Sequence, residues 1–286
     1  MLTIIRVVIL SVALFICSAN AQEFQGVATY KTSRAMDIKL DSTRVNSEMQ
    51  KQIQAMMQKQ FQKTFNLSFN REASIYKEDE ALAPPSVGGS GIQVMVIGDG
   101  GGGDILYKNT KENRFSNKTD IYGKVFLVKD ELKPLDWKLE SETKFIGNYE
   151  CRKATFTREV EVIKSSTFEN SEDDSKDGEL QREKQTQTIT AWYTTQIPIN
   201  NGPEKYHGLP GLILEVNTGK QQIVCTKITL NPDKKVEIIE PTKGKKINQK
   251  EFQAVMEKKQ KEMMEQFRPA KGNRGSGDSF EIRIGG

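Results

Sequence analysis

The stretch AWYTTQIPINNGPEKYHGLPGLILEV, residues 191–216, decides the fold, and the rest of the chain is interpreted around it. Residues 185–197 are rich in threonine, aromatic and β-branched side chains, which predicts a strand. The prolines and the Asn201-Gly202 pair then end the regular ladder, because proline lacks a backbone N–H and Asn-Gly favours a turn. The apolar run at 212–216 predicts that a neighbouring strand follows this loop.

The loop itself has two interpretations. The string LPGL at 209–212 is typical of a type II turn, since proline presets the second position and glycine accepts a positive φ at the third. The loop is then either a stiff connection between two strands or a shaped surface loop that presents Glu204, Tyr206 and His207, the only histidine, to a partner. The candidate binding residues of the stretch are Trp192, Tyr193, Tyr206, His207, Leu209, Pro210 and Gly211.

Several strings in the chain resemble one family. GLPGLI at 208–213 is similar to the signature of the GLPGLI family of bacterial envelope proteins. AWYT at 191–194, GPEKYHGLPGLILEV at 202–216, YECRKAT at 149–155 and FNLSFNREASIYKE at 65–78 resemble the same family. The resemblance implies an exported envelope protein and brings no established activity or catalytic residue to this sequence.

The first 21 residues have the pattern of a secretory signal peptide. Arg6 precedes an apolar run at 7–16 that is too short to span a bilayer, and Ala-Asn-Ala at 19–21 fits a cleavage site. The bulky Ile16 before Cys17 disfavours lipoprotein processing, so we expect cleavage after Ala21 and no lipid anchor. The expected location is the periplasm, the cell surface or the medium, with no transmembrane segment in the mature chain.

The net charge bears on the class of partner, and the cysteines bear on a possible disulfide. The formal net charge of +4 falls to about +3 without the signal peptide, which is too small to predict a nucleic-acid partner. Cys151 and Cys225 remain in a compartment that permits disulfides. They form either a bridge, worth about 4 kcal/mol in the chain-entropy model, or two buried thiols that act as small apolar groups.

The remaining pattern predicts an α+β fold dominated by strands. Short turns between apolar runs favour antiparallel neighbours. We expect a strongly curved antiparallel sheet resembling an open half-barrel, which includes a strand at 235–239. An amphipathic helix at 45–65 packs on this sheet, and a second, C-terminal helix begins with a capping box of Asn248 and Glu251.

One domain is expected over residues 22–268. Flexible insertions are predicted near 83–104, which is rich in proline and glycine, and near 169–184, which is highly charged. Residues 269–286 are predicted to form a disordered, basic, glycine-rich tail.

The sequence has only incomplete matches to motifs for cofactor binding, metal binding and catalysis. GDGGGG at 98–103 matches G-x-G-x-x-G, but residues 104–109 have no helical pattern, so we predict no nucleotide cofactor. One histidine and two distant cysteines do not supply a zinc site, so no metal is predicted. A hydrolase would have to use His207, with Glu204 and Tyr206 as its neighbours.

We therefore expect a non-enzymatic exported envelope protein that binds an apolar ligand or another envelope protein. Its curved sheet or its GLPGLI loop would form the binding surface. Two alternatives stay open: a hydrolase that uses His207 with Glu204 and Tyr206, and a purely structural GLPGLI turn with no site.

Overall fold

The structure, a computed structural model, describes residues 24–34, 62–79, 103–121, 123–164 and 181–266. These residues form twelve strands and one helix. In chain order they are β1 (Gln25–Arg34), β2 (Lys63–Asn70), β3 (Ala73–Glu78), β4 (Ile105–Asn109), β5 (Arg114–Ile121), β6 (Lys124–Glu131), β7 (Lys138–Ile146), β8 (Tyr149–Lys164), β9 (Gln181–Thr194), β10 (Leu212–Asn217), β11 (Gln221–Leu230), β12 (Lys245–Ile247) and α1 (Gln249–Gln266).

All twelve strands belong to one sheet with the order β12-β6-β5-β4-β3-β2-β1-β11-β10-β9-β8-β7. Strands β1–β6 form one antiparallel meander and β7–β11 a second. The pairing of β1 with β11 joins the two. Strand β12 is the exception, because it pairs with β6 in parallel. The sheet is therefore mixed and open, with β7 and β12 at its two edges.

The expected α+β fold with two helices is wrong. The described residues form an almost entirely β structure with one helix, and the chain between β9 and β10 supplies much of the packing inside the sheet. The helix predicted at 45–65 lies outside the described residues up to position 61, and Phe65 lies in β2. The C-terminal helix is present, and its capping box forms through Asn248 and Glu251, which exchange hydrogen bonds of 2.8 and 2.9 Å.

The two faces of the sheet differ in what covers them. Along each strand, side chains alternate between an inner and an outer face. Inner-face residues from both meanders, such as Tyr30, Leu106 and Ile189, belong to one apolar cluster, so the sheet curls around a single core. The hydroxyl of Tyr30 in β1 even donates to the carbonyl of Ile213 in β10, two strands away, at 2.7 Å.

A crossing segment at 231–244 leads from β11 over the outer face to β12. The strand predicted at 235–239 is wrong, because this segment makes no ladder. It is held through side chains: Ile238 packs on Ala73, Ile75 and Tyr107, and Glu240 binds residues of β5 and β6. Helix α1 then returns to the inner face.

Several predicted segments lie wholly or partly outside the described residues. The signal peptide at 1–21 and the tail at 269–286 lie outside them, as do residues 83–102 and 169–180 of the two insertions. Residues 181–184 of the second predicted insertion belong to β9, which pairs with β8 as far as Lys164 and Gln181. Within the described part of the chain, no helix has both the length and the apolar character that crossing a bilayer requires.

Candidate functional site

Residues 195–211, here called the core loop, connect β9 to β10 and fill the inside of the sheet. The amides of Leu212 and Ile213 donate to the carbonyls of Ile197 and Asn201, each at 3.0 Å. The side chains that face the core are Ile197, Ile199, Asn201, Tyr206, His207 and Leu209, all less than a tenth exposed. The alternative of a surface loop does not fit Tyr206 and His207, which are 7% and 4% exposed.

The turn at the end of the core loop is not of type II. Gly211 has no positive φ, and its amide donates to the carbonyl of Leu209 at 2.8 Å, which closes a three-residue turn centred on Pro210. Gly211 is required for a different reason. A Cβ at this position would lie 2.1 Å from the carbonyl oxygen of Thr194, so only glycine allows the loop to lie against the end of β9.

His207 is held as a structural group. Its Nδ1 lies 3.0 Å from the carbonyl oxygen of Lys205, and because a carbonyl only accepts, Nδ1 carries the proton and Nε2 the lone pair. Its own carbonyl accepts a hydrogen bond of 2.7 Å from the indole N–H of Trp137. Burial lowers the pKa of His207, so the ring is neutral at pH 7.

The three residues predicted for a hydrolase point in different directions. Glu204 accepts a hydrogen bond of 3.1 Å from Gln221, and burial raises the pKa of its carboxyl group. Tyr206 packs against Phe156, with ring centroids 6.5 Å apart. Among the described residues, no hydroxyl, thiol or carboxylate is hydrogen-bonded to the His207 ring, so the base–nucleophile pair of a hydrolase is not assembled here.

Sequence analysis missed the lysine that holds the core loop. Lys108 in β4 is fully buried, and its ammonium group donates to the carbonyls of Gly202 at 2.6 Å and Tyr206 at 3.4 Å. Burial lowers its pKa to about 7, although Glu204 opposes that shift. The only available signal was its position two residues after Leu106, on the same face of a strand.

Trp192 and Tyr193, neighbours in β9, do not form one surface. Tyr193 faces the core and is 3% exposed. Trp192 lies on the outer face, where the ammonium group of Lys144 is 4.4 Å from its ring centroid and 2.6 Å from the carboxylate of Glu215. Only Trp192 is therefore available to the outside.

The two cysteines are buried and unbridged. Burial raises the pKa of the Cys151 thiol to about 11 and that of the Cys225 thiol to about 12. Strands β8 and β11 are separated by β9 and β10. The alternative of two buried thiols fits this arrangement.

The outer face carries an open groove that the sequence did not predict. It has a volume of about 560 Å³ and lies between β2–β5 and the crossing segment. Its floor is formed by Ile75 and Ile105. Its lining is completed by Ser68, Lys77, Lys118, Glu237, Ile239, Glu240, Pro241, Thr242 and Lys243.

Cofactor and metal chemistry finds little support in these residues. The residues after Gly103 form strand β4, which pairs with β3 and β5, and not the helix that a dinucleotide-binding motif requires. In the described ranges, no three histidine, cysteine or acidic side chains come together as a metal site would need.

A family model and two solved structures match this chain over different lengths. Residues 137–215 match the model of a family described as "Protein of unknown function (Porph_ging)"; the match begins at Trp137 and ends within β10. No curated protein matches the chain. Two solved structures of PNGF-II, from two crystal forms, are similar at 14% and 15% identity, with TM-scores of 0.45 and 0.46; the matches cover 82% of this chain and 33% and 34% of theirs. The chain thus spans about a third of the length of those proteins.

Proposed function

We propose that this chain is a non-enzymatic exported envelope protein of the GLPGLI type, and that its curved sheet binds an apolar ligand or another envelope protein. The observation that carries the proposal is the contrast between the faces. The core loop fills the inner face, whereas the outer face has an open groove with Ile75 and Ile105 as its floor. Its volume of about 560 Å³ falls within the range of ligand sites.

The same contrast gives the core loop a structural role. Its side chains lie in the core, and its backbone is fixed by Lys108, by Trp137 and by the close approach of Gly211 to Thr194. The neutral, buried His207 has no described nucleophile as a neighbour, which argues against a hydrolase. We therefore assign binding to the groove and stability to the loop.

Two variants separate these roles. Ser68→Trp fills the groove from β2 at a half-buried position, whereas His207→Ala removes a buried ring from the core loop. Binding of the neutral apolar dye N-phenylnaphthylamine is measured by fluorescence, and folding by the melting temperature. We expect Ser68→Trp to abolish dye binding at an unchanged melting temperature. We expect His207→Ala to lower the melting temperature and to bind dye normally while folded.

The opposite pattern would contradict the proposal. If His207→Ala abolished dye binding without a change in melting temperature, the core loop would be the binding site. If the unmodified protein bound no dye and released no lipid on extraction, the groove would not be a ligand site.

A further inference from the structure

We infer that the outer groove binds a single-chain amphiphile with an anionic headgroup, whose headgroup lies among Lys77, Lys118 and Lys243 and whose chain lies over Ile75 and Ile105. This inference rests on the proposed function and adds the chemical class of the ligand. It follows from the placement of charge and of apolar surface in the groove.

The register of the sheet places two lysines on either side of an apolar residue. Lys77 in β3 pairs with Ile105 in β4, and Ile105 pairs with Lys118 in β5. Paired residues share a face, so all three point outward, with the two lysine Cα atoms about 10 Å apart. Ile75, two residues before Lys77, extends the apolar floor away from this row.

The three lysines of the groove have no ionic partner among the described residues. No ion pair or side-chain hydrogen bond to another described residue involves the ammonium group of Lys77, Lys118 or Lys243. The lining has two carboxylates, Glu237 and Glu240. Since Glu240 is engaged elsewhere, Glu237 balances only one of the three ammonium groups.

Glu240 is occupied by the neighbouring cations. Its carboxylate accepts hydrogen bonds from Arg114 at 2.8 Å, Lys129 at 2.8 Å and Ser116 at 2.6 Å. Burial alone would raise its pKa, but these hydrogen bonds lower it to about 2. Glu240 therefore stays ionised and fixes the crossing segment to the sheet, which keeps the groove open before a ligand arrives.

The wall of the groove adds an exposed apolar side chain. Ile239 on the crossing segment is 70% exposed, which is unusual for a large apolar residue beside an apolar floor. An aliphatic chain between Ile239 and the half-buried Ile105 would remove the exposed parts of these two side chains from water, whereas Ile75 below them is already buried. An anion without a chain leaves them exposed, and a neutral chain leaves the lysines without a counter-charge.

The test compares ligands that share one chain and differ in the headgroup. Dodecanoate, dodecyl maltoside and dodecyltrimethylammonium are titrated into the purified protein below their micelle concentrations, with calorimetry as the readout. We expect dodecanoate to bind at least tenfold more tightly than the other two and to weaken as salt rises. Acetate and inorganic phosphate, which lack the chain, should not compete.

Lysine variants locate the headgroup. The double variant Lys77→Gln/Lys118→Gln should lose at least tenfold in dodecanoate affinity and keep its affinity for dodecyl maltoside. The matched control is Lys31→Gln/Lys227→Gln, which removes two exposed lysines from β1 and β11 and should change neither affinity. Equal melting temperatures of the variants show that folding is unaffected.

Three outcomes would overturn the inference. Equal affinity for all three dodecyl ligands would leave an apolar site, as proposed above, without a preference for anions. Competition by hexaglutamate as strong as by dodecanoate would indicate an acidic protein partner. Failure of every dodecyl ligand to bind would remove the proposed ligand-binding function together with this inference.

Discussion

Two lysines in adjacent strands show how the faces of this sheet differ. Lys108 in β4 points inward, is fully buried and donates its protons to carbonyls of the core loop. Lys118 in β5 points outward into the groove and has no ion pair with any described residue. The inner lysine stabilises the core loop, whereas the outer lysine has no ionic partner among the described residues, which is why we infer that it binds a ligand. The predictions below test this division.

The largest effect is expected at Gly211. In Gly211→Ala, the new methyl group would lie 2.1 Å from the backbone oxygen of Thr194, so the core loop must move out of the core. We expect a loss of about 3 kcal/mol or more in the free energy of unfolding, measured with urea.

A second glycine provides the control for that measurement. Gly219 has a φ of +81° and no neighbouring atom within 4 Å of its would-be Cβ. Gly219→Ala should therefore cost only the backbone strain of about 1 kcal/mol. A loss at Gly211 no larger than the loss at Gly219 would show that the core loop is not packed tightly against β9.

The sequence predicted features that depend on near neighbours. The cap of α1 by Asn248 and Glu251 rests on residues three positions apart. The type II turn at 209–212 failed, because burial against Thr194, and not local preference, determines the backbone at Gly211. Packing against distant residues overrode the local signal.

The candidate site was missed for the same reason. Lys108 meets the carbonyl of Gly202, which lies 94 residues further along the chain. The parallel strand β12 has three residues and pairs with β6, more than a hundred positions earlier. Only the folded sheet brings Lys77 and Lys118 to the same groove as the crossing segment. Neither the hydrophobic periodicity nor the composition of the sequence predicts these long-range pairings.

The next effect concerns the pH dependence of stability through Lys108. Its pKa is about 7 in the folded protein and ordinarily 10.5, so the unfolded chain holds more protons between these values. The free energy of unfolding should therefore increase with pH, by about 1 kcal/mol between pH 7 and 8. Lys205, whose pKa burial lowers to about 8, adds a smaller increase of the same sign toward the upper end of this interval.

Two methionine variants test the source of this increase. Lys108→Met removes the larger of the two titrating contributions, so the increase in the free energy of unfolding from pH 7 to pH 8, measured with urea, should fall to less than half of that in the unmodified protein. Lys118→Met, on the outer face, should keep the increase of the unmodified protein. A pH dependence that survives undiminished in Lys108→Met would assign it to another group and weaken the account of the inner face.

A smaller effect is expected from the two tryptophans. Trp137→Phe removes the indole donor to the carbonyl of His207 and should lower the free energy of unfolding by about 1 kcal/mol. Trp192→Phe, on the outer face beside Lys144, keeps an aromatic ring and should cost no more than about 0.5 kcal/mol. The reverse order in thermal or urea unfolding would contradict the assignment of stability to the core loop.

The smallest effect on stability is expected at Ile239. The effect of this residue on dodecanoate binding tests whether the ligand lies in the groove. This side chain is 70% exposed, so Ile239→Ser should change the free energy of unfolding by less than about 0.5 kcal/mol. Its apolar surface borders the groove, and losing about 1 kcal/mol of apolar burial should weaken dodecanoate binding about fivefold.

Phe145 in β7 is the matched control, because it is 74% exposed and does not line the groove. If Phe145→Ser weakened dodecanoate binding as much as Ile239→Ser, the ligand would adhere to exposed apolar residues in general. A loss at Ile239 alone would place the chain of the ligand in the groove and complete the contrast between a sealed inner face and an outer face that binds.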